Sequence, residues 1–212
     1  MKWEKFIKLV GNLAVIDTEL LLAGVSDSLP VKVQISRWHK AGKLIQVKKG
    51  IYLLGEPYRK VDVYGPHLAS VLKKPSYLSM EKAFEYHGLI PEAVPVYTSV
   101  TTKRPGKFVS EAGTFDYKHV KNSLFWGYDS VTVNKQTAFI ASPEKALLDF
   151  SYLKAGKVSF EYLEELRLQS FERINLDKLL QYGKRFDKSN ILHNAEMIKE
   201  FINTHKKEEK TL

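Results

Sequence analysis

Residues 30–54 read PVKVQISRWHKAGKLIQVKKGIYLL, and the fold turns on how this stretch is read. An advance of about 100° per residue from Val31 puts Val31, Ile35 and Trp38 on one helical face. Lys32, Ser36, Arg37 and Lys40 then point the opposite way, towards solvent or a partner. Pro30 suits a first helical turn, where its missing N–H breaks no internal bond. Gly42 is placed to end the helix with positive φ. Beyond it, Leu44–Val47 and Ile51–Leu54 predict two short strands around Lys48-Lys49-Gly50. A helix that exposes cations beside a cation-tipped ribbon suits a duplex groove and its flanking phosphates.

Working outward, Trp3, Phe6, Ile7 and Val10 keep helical spacing, which predicts an amphipathic helix ending near Gly11-Asn12. Asp17 is positioned as an N-cap, with Glu19 in the favourable first turn and Gly24 as the stop of a second helix. Helix, helix, helix, ribbon is the order of a winged helix-turn-helix. The link from Gly24 to Pro30 is longer than the turn of the tight motif.

Downstream, Glu56-Pro57-Tyr58-Arg59 marks a boundary. The chain is read as α+β, in three parts: a winged helix-turn-helix over residues 1–57, a mixed α/β domain with antiparallel hairpins over 58–155, and a helical extension over 156–212. Ser79–Tyr86 predicts a helix, and Val96–Thr102, Phe108–Val109 and Thr114–Tyr117 predict strands. Tyr128–Val133 and Thr137–Ile140 predict a hairpin around Asn134-Lys135-Gln136. Ser142–Leu153, Phe160–Ser170, Leu176–Phe186 and Ile191–Thr204 predict helices, with Asn175 and Asn190 as caps and a frayed end at Lys206–Lys210. Two segments are alike: Tyr77-Leu78-Ser79-Met80-Glu81-Lys82-Ala83 and Phe139-Ile140-Ala141-Ser142-Pro143-Glu144-Lys145-Ala146. Each passes from apolar residues through a serine cap into Glu-Lys-Ala, as a recurring strand-to-helix entry would.

The net charge of +9 is unevenly placed: 11 Lys+Arg oppose 5 Asp+Glu in residues 1–60, 12 oppose 9 in 61–160, and 10 oppose 10 in 161–212. The excess lies where the cationic helix and ribbon lie, as in a phosphate-facing module. The absence of cysteine excludes disulfides, thiol nucleophiles and thiolate metal sites. Glu4, Lys5 and Lys8 interrupt any signal-peptide core, and no apolar run approaches membrane-span length. A soluble cytoplasmic protein with no membrane association is expected.

Signs of catalysis are few. No phosphate-cradling glycine motif occurs, and the six histidines fall at no metal-binding helical spacing. No enzyme, metal or cofactor is expected. The sharpest enzymatic alternative is a Mg-dependent nuclease, in which Asp116 binds the ion and Lys118 steadies a phosphate, with Glu111 as the second carboxylate. Lys103, Arg104 and Lys107 form a cationic loop that fits phosphate or an acidic partner surface, and equally a solvated turn. A protein-interaction module without specific DNA binding is the other alternative.

The ordered motifs point to a family. Trp38-His39-Lys40-Ala41-Gly42-Lys43-Leu44-Ile45 with Lys48-Lys49-Gly50-Ile51-Tyr52 resembles the winged helix of AbiEi-type antitoxins. Tyr77-Leu78-Ser79, His87-Gly88-Leu89-Ile90-Pro91-Glu92, Thr98–Arg104, Gly113–His119 and Ala141–Asp149 are similar, in that order, to the AbiEi C-terminal domain. The resemblance implies an antitoxin of a type IV toxin–antitoxin, or abortive-infection, system of phage defence. It implies a transcriptional regulator that represses its own operon at inverted repeats in double-stranded promoter DNA. It also implies a functional partner, a nucleotidyltransferase-like toxin, counteracted without a stable complex. Lys32, Gln34, Ser36 and Arg37 are then expected in the major groove, with Lys40, Lys43, Lys48 and Lys49 on phosphates.

Overall fold

Trp3, Phe6, Ile7 and Val10 build α1 (Trp3–Val10), which buries Phe6 and Val10. The Phe6 ring lies 4.7 Å from that of Trp38. This computed structural model describes residues 1–154 and 158–208. After β1 (Ile16–Asp17), the Asp17 carboxylate accepts the Glu19 N–H at 3.0 Å and starts α2 (Thr18–Leu21). That helix is short. It ends at Leu21 rather than at Gly24, which lies in the following turn at φ +80. In α3 (Leu29–Lys40) the buried pair is Ile35 and Trp38, and Gly42 comes next at φ +70. β2 (Leu44–Lys48) and β3 (Ile51–Leu54) form the hairpin, with Gly50 at φ +87. β1 adds to its far edge, giving a three-stranded sheet in the order β1-β3-β2. The two-residue β1 was not legible in the sequence. Pairing with β3 defines it rather than any periodicity of its own.

One face of this sheet closes on α1 and α3 through Leu44 and Leu54. Val47, Ile51 and Leu53 instead pack with Leu68, Ala69, Leu72, Phe115 and Tyr117 from the second part of the chain. The hairpin is therefore seated on that second part.

The second part is mixed α and β. Its elements are α4 (Gly65–Leu72), β4 (Ser76–Leu78), α5 (Met80–Tyr86), β5 (Val96–Thr101), β6 (Gly106–Ser110), β7 (Gly113–His119), β8 (Tyr128–Val133) and β9 (Gln136–Ala141). The strands make one six-stranded sheet in the order β6-β7-β5-β4-β9-β8. The β6–β7 and β8–β9 pairs are antiparallel hairpins, whereas β4–β9 and β5–β7 are parallel. The two similar sequence segments become β4 running into α5, and β9 running into α6 (Pro143–Leu153). Their strands lie side by side, Leu78 opposite Ile140.

The C-terminal helices are α7 (Phe160–Glu165), α8 (Leu176–Arg185) and α9 (Ser189–Glu208). They share one apolar core with the sheet: Leu163, Leu179, Ile191, Ile198 and Phe201 pack with Tyr77, Phe84, Val100 and Ile140. The helix expected over Phe160–Ser170 stops at Glu165. Arg167 and Ser170 adopt φ +50 and +53, Leu168 turns inward, and the Gln169 N–H donates to Leu89 O. Asn175 caps α8, accepting the Lys178 N–H at 3.0 Å. Asn190 is not a cap; α9 already begins at Ser189. Of the fraying expected at Lys206–Lys210, residues 206–208 lie within α9, and Glu209 and Lys210 fall outside the described residues. The expected boundary between residues 155 and 156 also falls outside them.

Candidate nucleic-acid interface

No Asp or Glu occurs between Asp27 and Glu56, while Lys32, Arg37, Lys40, Lys43, Lys48 and Lys49 all lie in that interval. Local sequence therefore supplies cations without local counter-charges. Lys32, Ser36, Arg37 and Lys40 are exposed on one side of α3, and Gln34 is half-buried. Ile35 and Trp38 hold the other side in the core. The His39 Nδ1 bonds Leu44 O at 3.1 Å and the Lys43 N–H donates to Trp38 O at 2.9 Å, fixing α3 against β2. Among the described residues, none of Lys32, Arg37, Lys40 and Lys49 forms an ion pair. An array of unneutralised cations on a rigid helix is what phosphate contact requires.

Two of the expected phosphate contacts are placed differently. The half-buried Lys43 ammonium lies 4.9 Å from the centre of the Trp3 ring and 6.0 Å from that of Tyr58. Lys48 is turned towards the second part of the chain. Its ammonium donates to Leu72 O at 2.7 Å and lies 5.3 Å from the Phe108 ring centre. Burial of Val47 and Ile51 beneath α4 draws this residue in, so Lys48 ties the hairpin down rather than projecting freely. Lys49, at the tip, is exposed. The tip is also fixed to α2, since Gly50 O accepts both the Thr18 N–H and its hydroxyl at 2.9 Å.

Lys103, Arg104 and Lys107 are exposed around the loop between β5 and β6. They are joined to the hairpin by Lys73, which no sequence pattern had singled out. Lys73 donates to Arg104 O at 2.7 Å, and its ammonium, like that of Lys48, lies beside Phe108, at 5.8 Å. Burial, then the charges of Lys48 and Arg104, lower the Lys73 pKa below 10.5. The two basic groups, separate in sequence, are thus electrostatic neighbours. The adjacent Lys73-Lys74 pair was the available signal.

Asp116 and Lys118 pair at 2.9 Å and line an open cleft of about 680 Å³ with Glu81, Glu92 and Glu165. Glu111, the second carboxylate the nuclease alternative needs, does not line it. Among the described residues no three His, Asp or Glu side chains gather as metal donors. The carboxylate pair that this alternative names, Asp116 with Glu111, is therefore not brought together in this cleft.

A buried polar network was likewise not legible in the sequence. Lys145 and Asp149 are completely buried and hydrogen-bonded to each other. Lys145 also donates to the Tyr77 hydroxyl at 2.9 Å, and Tyr77 and Ser79 each donate to Asp149 at 2.9 Å. Burial pushes the Asp149 carboxyl up and the Lys145 ammonium down, each towards its neutral form, against the pull of these bonds. The Ser79 hydroxyl, expected to cap α5, is spent on this network, whereas Ser142 does cap α6, accepting the Lys145 N–H at 3.4 Å. Glu144 is buried as well. Burial would raise its carboxyl, but the Asn175 N–H, its own N–H, Lys178 and Ser142 outweigh that and lower it below 4.5.

No model of a known protein family matches the sequence, and no curated protein matches it either.

Proposed function

We propose that the chain is a DNA-binding transcriptional autorepressor that acts as the antitoxin of a type IV toxin–antitoxin system. The observation that carries the DNA-binding part is the face of α3: Lys32, Ser36, Arg37 and Lys40 exposed together, without a carboxylate partner among the described residues. The element order of the first part, helix-strand-helix-helix-strand-strand with sheet order β1-β3-β2, supports reading it as a winged helix-turn-helix with α3 as the recognition helix. Lys32, Gln34, Ser36 and Arg37 then meet base edges, Arg37 being the side chain suited to bidentate guanine contact. Lys40 and Lys49 hold phosphates. Lys103, Arg104 and Lys107 extend the cationic track onto the second part. The antitoxin role, and a nucleotidyltransferase-like toxin as its functional partner, come from the resemblance to AbiEi-type antitoxins.

The test has two arms. A mobility shift with DNA from upstream of the gene should show preference over random duplex, and binding that weakens with salt. Co-expression with a nucleotidyltransferase-like protein encoded beside the gene should restore growth that the neighbour alone arrests. A second reading, a protein-interaction module, draws on Leu20, Val25, Leu29 and Val33, large apolar residues left exposed around α2 and α3. Equal binding to all duplexes would favour it.

A further inference from the structure

Between α4 and the β8–β9 hairpin lies a pocket of about 390 Å³ that the duplex-binding reading does not use. Three of its walls are rings: Phe125, Tyr128 and Phe139. Phe139 remains 39% exposed, a large apolar side chain left facing solvent within an aromatic group. No carboxylate lines the pocket, and the exposed Lys74 supplies a cation at its edge.

The rings are held from behind. Tyr128 stacks on Tyr77, centres 4.7 Å apart and planes 17° apart, and Phe125 lies 5.2 Å from Tyr128. Phe139 meets Tyr128 edge-on at 5.9 Å. Tyr77 is in turn fixed through its hydroxyl by Asp149 and Lys145. A completely buried charged pair is seldom retained for stability, since apolar replacements often do as well. Here it fixes the ring on which the aromatic wall is built. Three hydroxyls of the wall are already engaged, Ser70 with Pro66 O at 3.1 Å, Ser76 with Lys73 O at 2.6 Å and Thr137 with Thr132 at 2.9 Å, which among the described residues leaves the Tyr128 hydroxyl for a ligand. Recognition in the pocket therefore rests mainly on ring faces and charge, with the Tyr128 hydroxyl and the His67 Nε2 as the polar groups still open to a ligand.

Lys74 also lines a second cavity, of about 310 Å³, at the tip of the first hairpin, with Lys48 and Lys49 and with Asp17 and Glu19 on its other elements. The aromatic pocket thus adjoins a cavity in which three lysines outnumber two carboxylates, and Lys74 is the cation common to both. Ring walls select a planar aromatic group and the adjoining lysines select an anion attached to it. We propose that this pocket binds a single nucleotide, its base among Phe125, Tyr128 and Phe139 and its phosphate on Lys74. Two sources share that chemistry, a free nucleoside monophosphate and an unpaired nucleotide in a strand. A paired base does not qualify, because its neighbours in the stack cover both its faces. The proposal stands independently of the role given to α3.

Calorimetric titration of the full-length chain with AMP, UMP, adenosine and hexathymidylate tests it. Saturable binding of AMP and UMP with similar affinity is expected, and weaker binding of adenosine. Phe139→Ala should weaken every probe by at least about five-fold, the scale of one lost base–ring stack. Lys74→Gln should weaken AMP and leave adenosine unchanged. Both positions are exposed, and unchanged thermal melting will show that the variants are folded. Hexathymidylate binding tighter than UMP supports the strand as source, and equal binding supports the free nucleotide. Failure of every probe to saturate, adenosine binding as tightly as AMP, or unchanged affinity in Phe139→Ala overturns the proposal.

Discussion

Arg37 and Lys48 stand eleven positions apart in the same basic stretch, yet their surroundings give them different work. Arg37 is exposed on α3, and Arg37→Ala is expected to relax preference at one base position, costing about 1–3 kcal/mol on the best site and less on others. Affinities measured on single-base variants of the operator check this, and equal loss on every variant would remove Arg37 from base contact. Lys48 holds Leu72 O, so Lys48→Ala should loosen the hairpin's seat as well as remove a charge, and its thermal midpoint should fall. The sequence puts Arg37 off the apolar face of its helix and Lys48 in the turn of the hairpin. It could not show that α4 would meet one of them. Lys145 and Asp149 were equally hidden, because a Lys and an Asp four apart on a helix read as a surface pair until Tyr77 and Trp126 close over them. Lys145→Met alone should destabilise the fold by about 3–5 kcal/mol, and adding Asp149→Leu should recover part of it. Urea midpoints of the single and double variants decide this. His87 gives a pH signature. Its Nε2–H donates to Ala141 O at 2.7 Å, and burial holds the ring below its ordinary 6.5. The unfolded chain then takes up a proton before the folded one does. Stability from the neutral ring is complete above pH 6.5 and is lost as pH falls below it, until the folded ring also protonates. His87→Gln should flatten that limb of the stability profile.

At the scale of elements, the legible pieces are those whose signal is local. α1, α3 and the β2–β3 and β8–β9 hairpins lie close to where spacing and turn residues put them. The β8–β9 turn uses Asn134 and Lys135, both with positive φ, at +48 and +64. Glycine adopts that conformation without a Cβ penalty, so Lys135→Gly is expected to stabilise by about 1 kcal/mol. A thermal midpoint that falls would contradict it. Pieces set by distant partners were illegible. β1 exists because β3 offers an edge, α7 ends early because Leu168 is drawn into the core, and the Ser79 hydroxyl leaves its helix to bond the buried Asp149 carboxylate.

For the whole molecule, the first hairpin does not stand apart. Val47, Ile51 and Leu53 lie in the same apolar cluster as Leu72 and Tyr117, and Lys73 donates to Arg104 O while feeling the charges of both Lys48 and Arg104. This joins the basic face of the first part to that of the second. No sequence window spanned both, so the junction was invisible until the chain folded. In the proposed complex, the exposed cations of α3 and the hairpin tip meet DNA phosphates. The direct measurement is the salt dependence of binding to upstream DNA for the native chain and for Lys32→Gln/Lys40→Gln/Lys49→Gln. Each lost phosphate contact should flatten the slope of log K against log salt by about 0.9, so the triple variant, which removes Lys40 and Lys49 from phosphates and Lys32 from a base edge, should be shallower by roughly two units. An unchanged slope would place the DNA on another face and contradict the proposed role of α3.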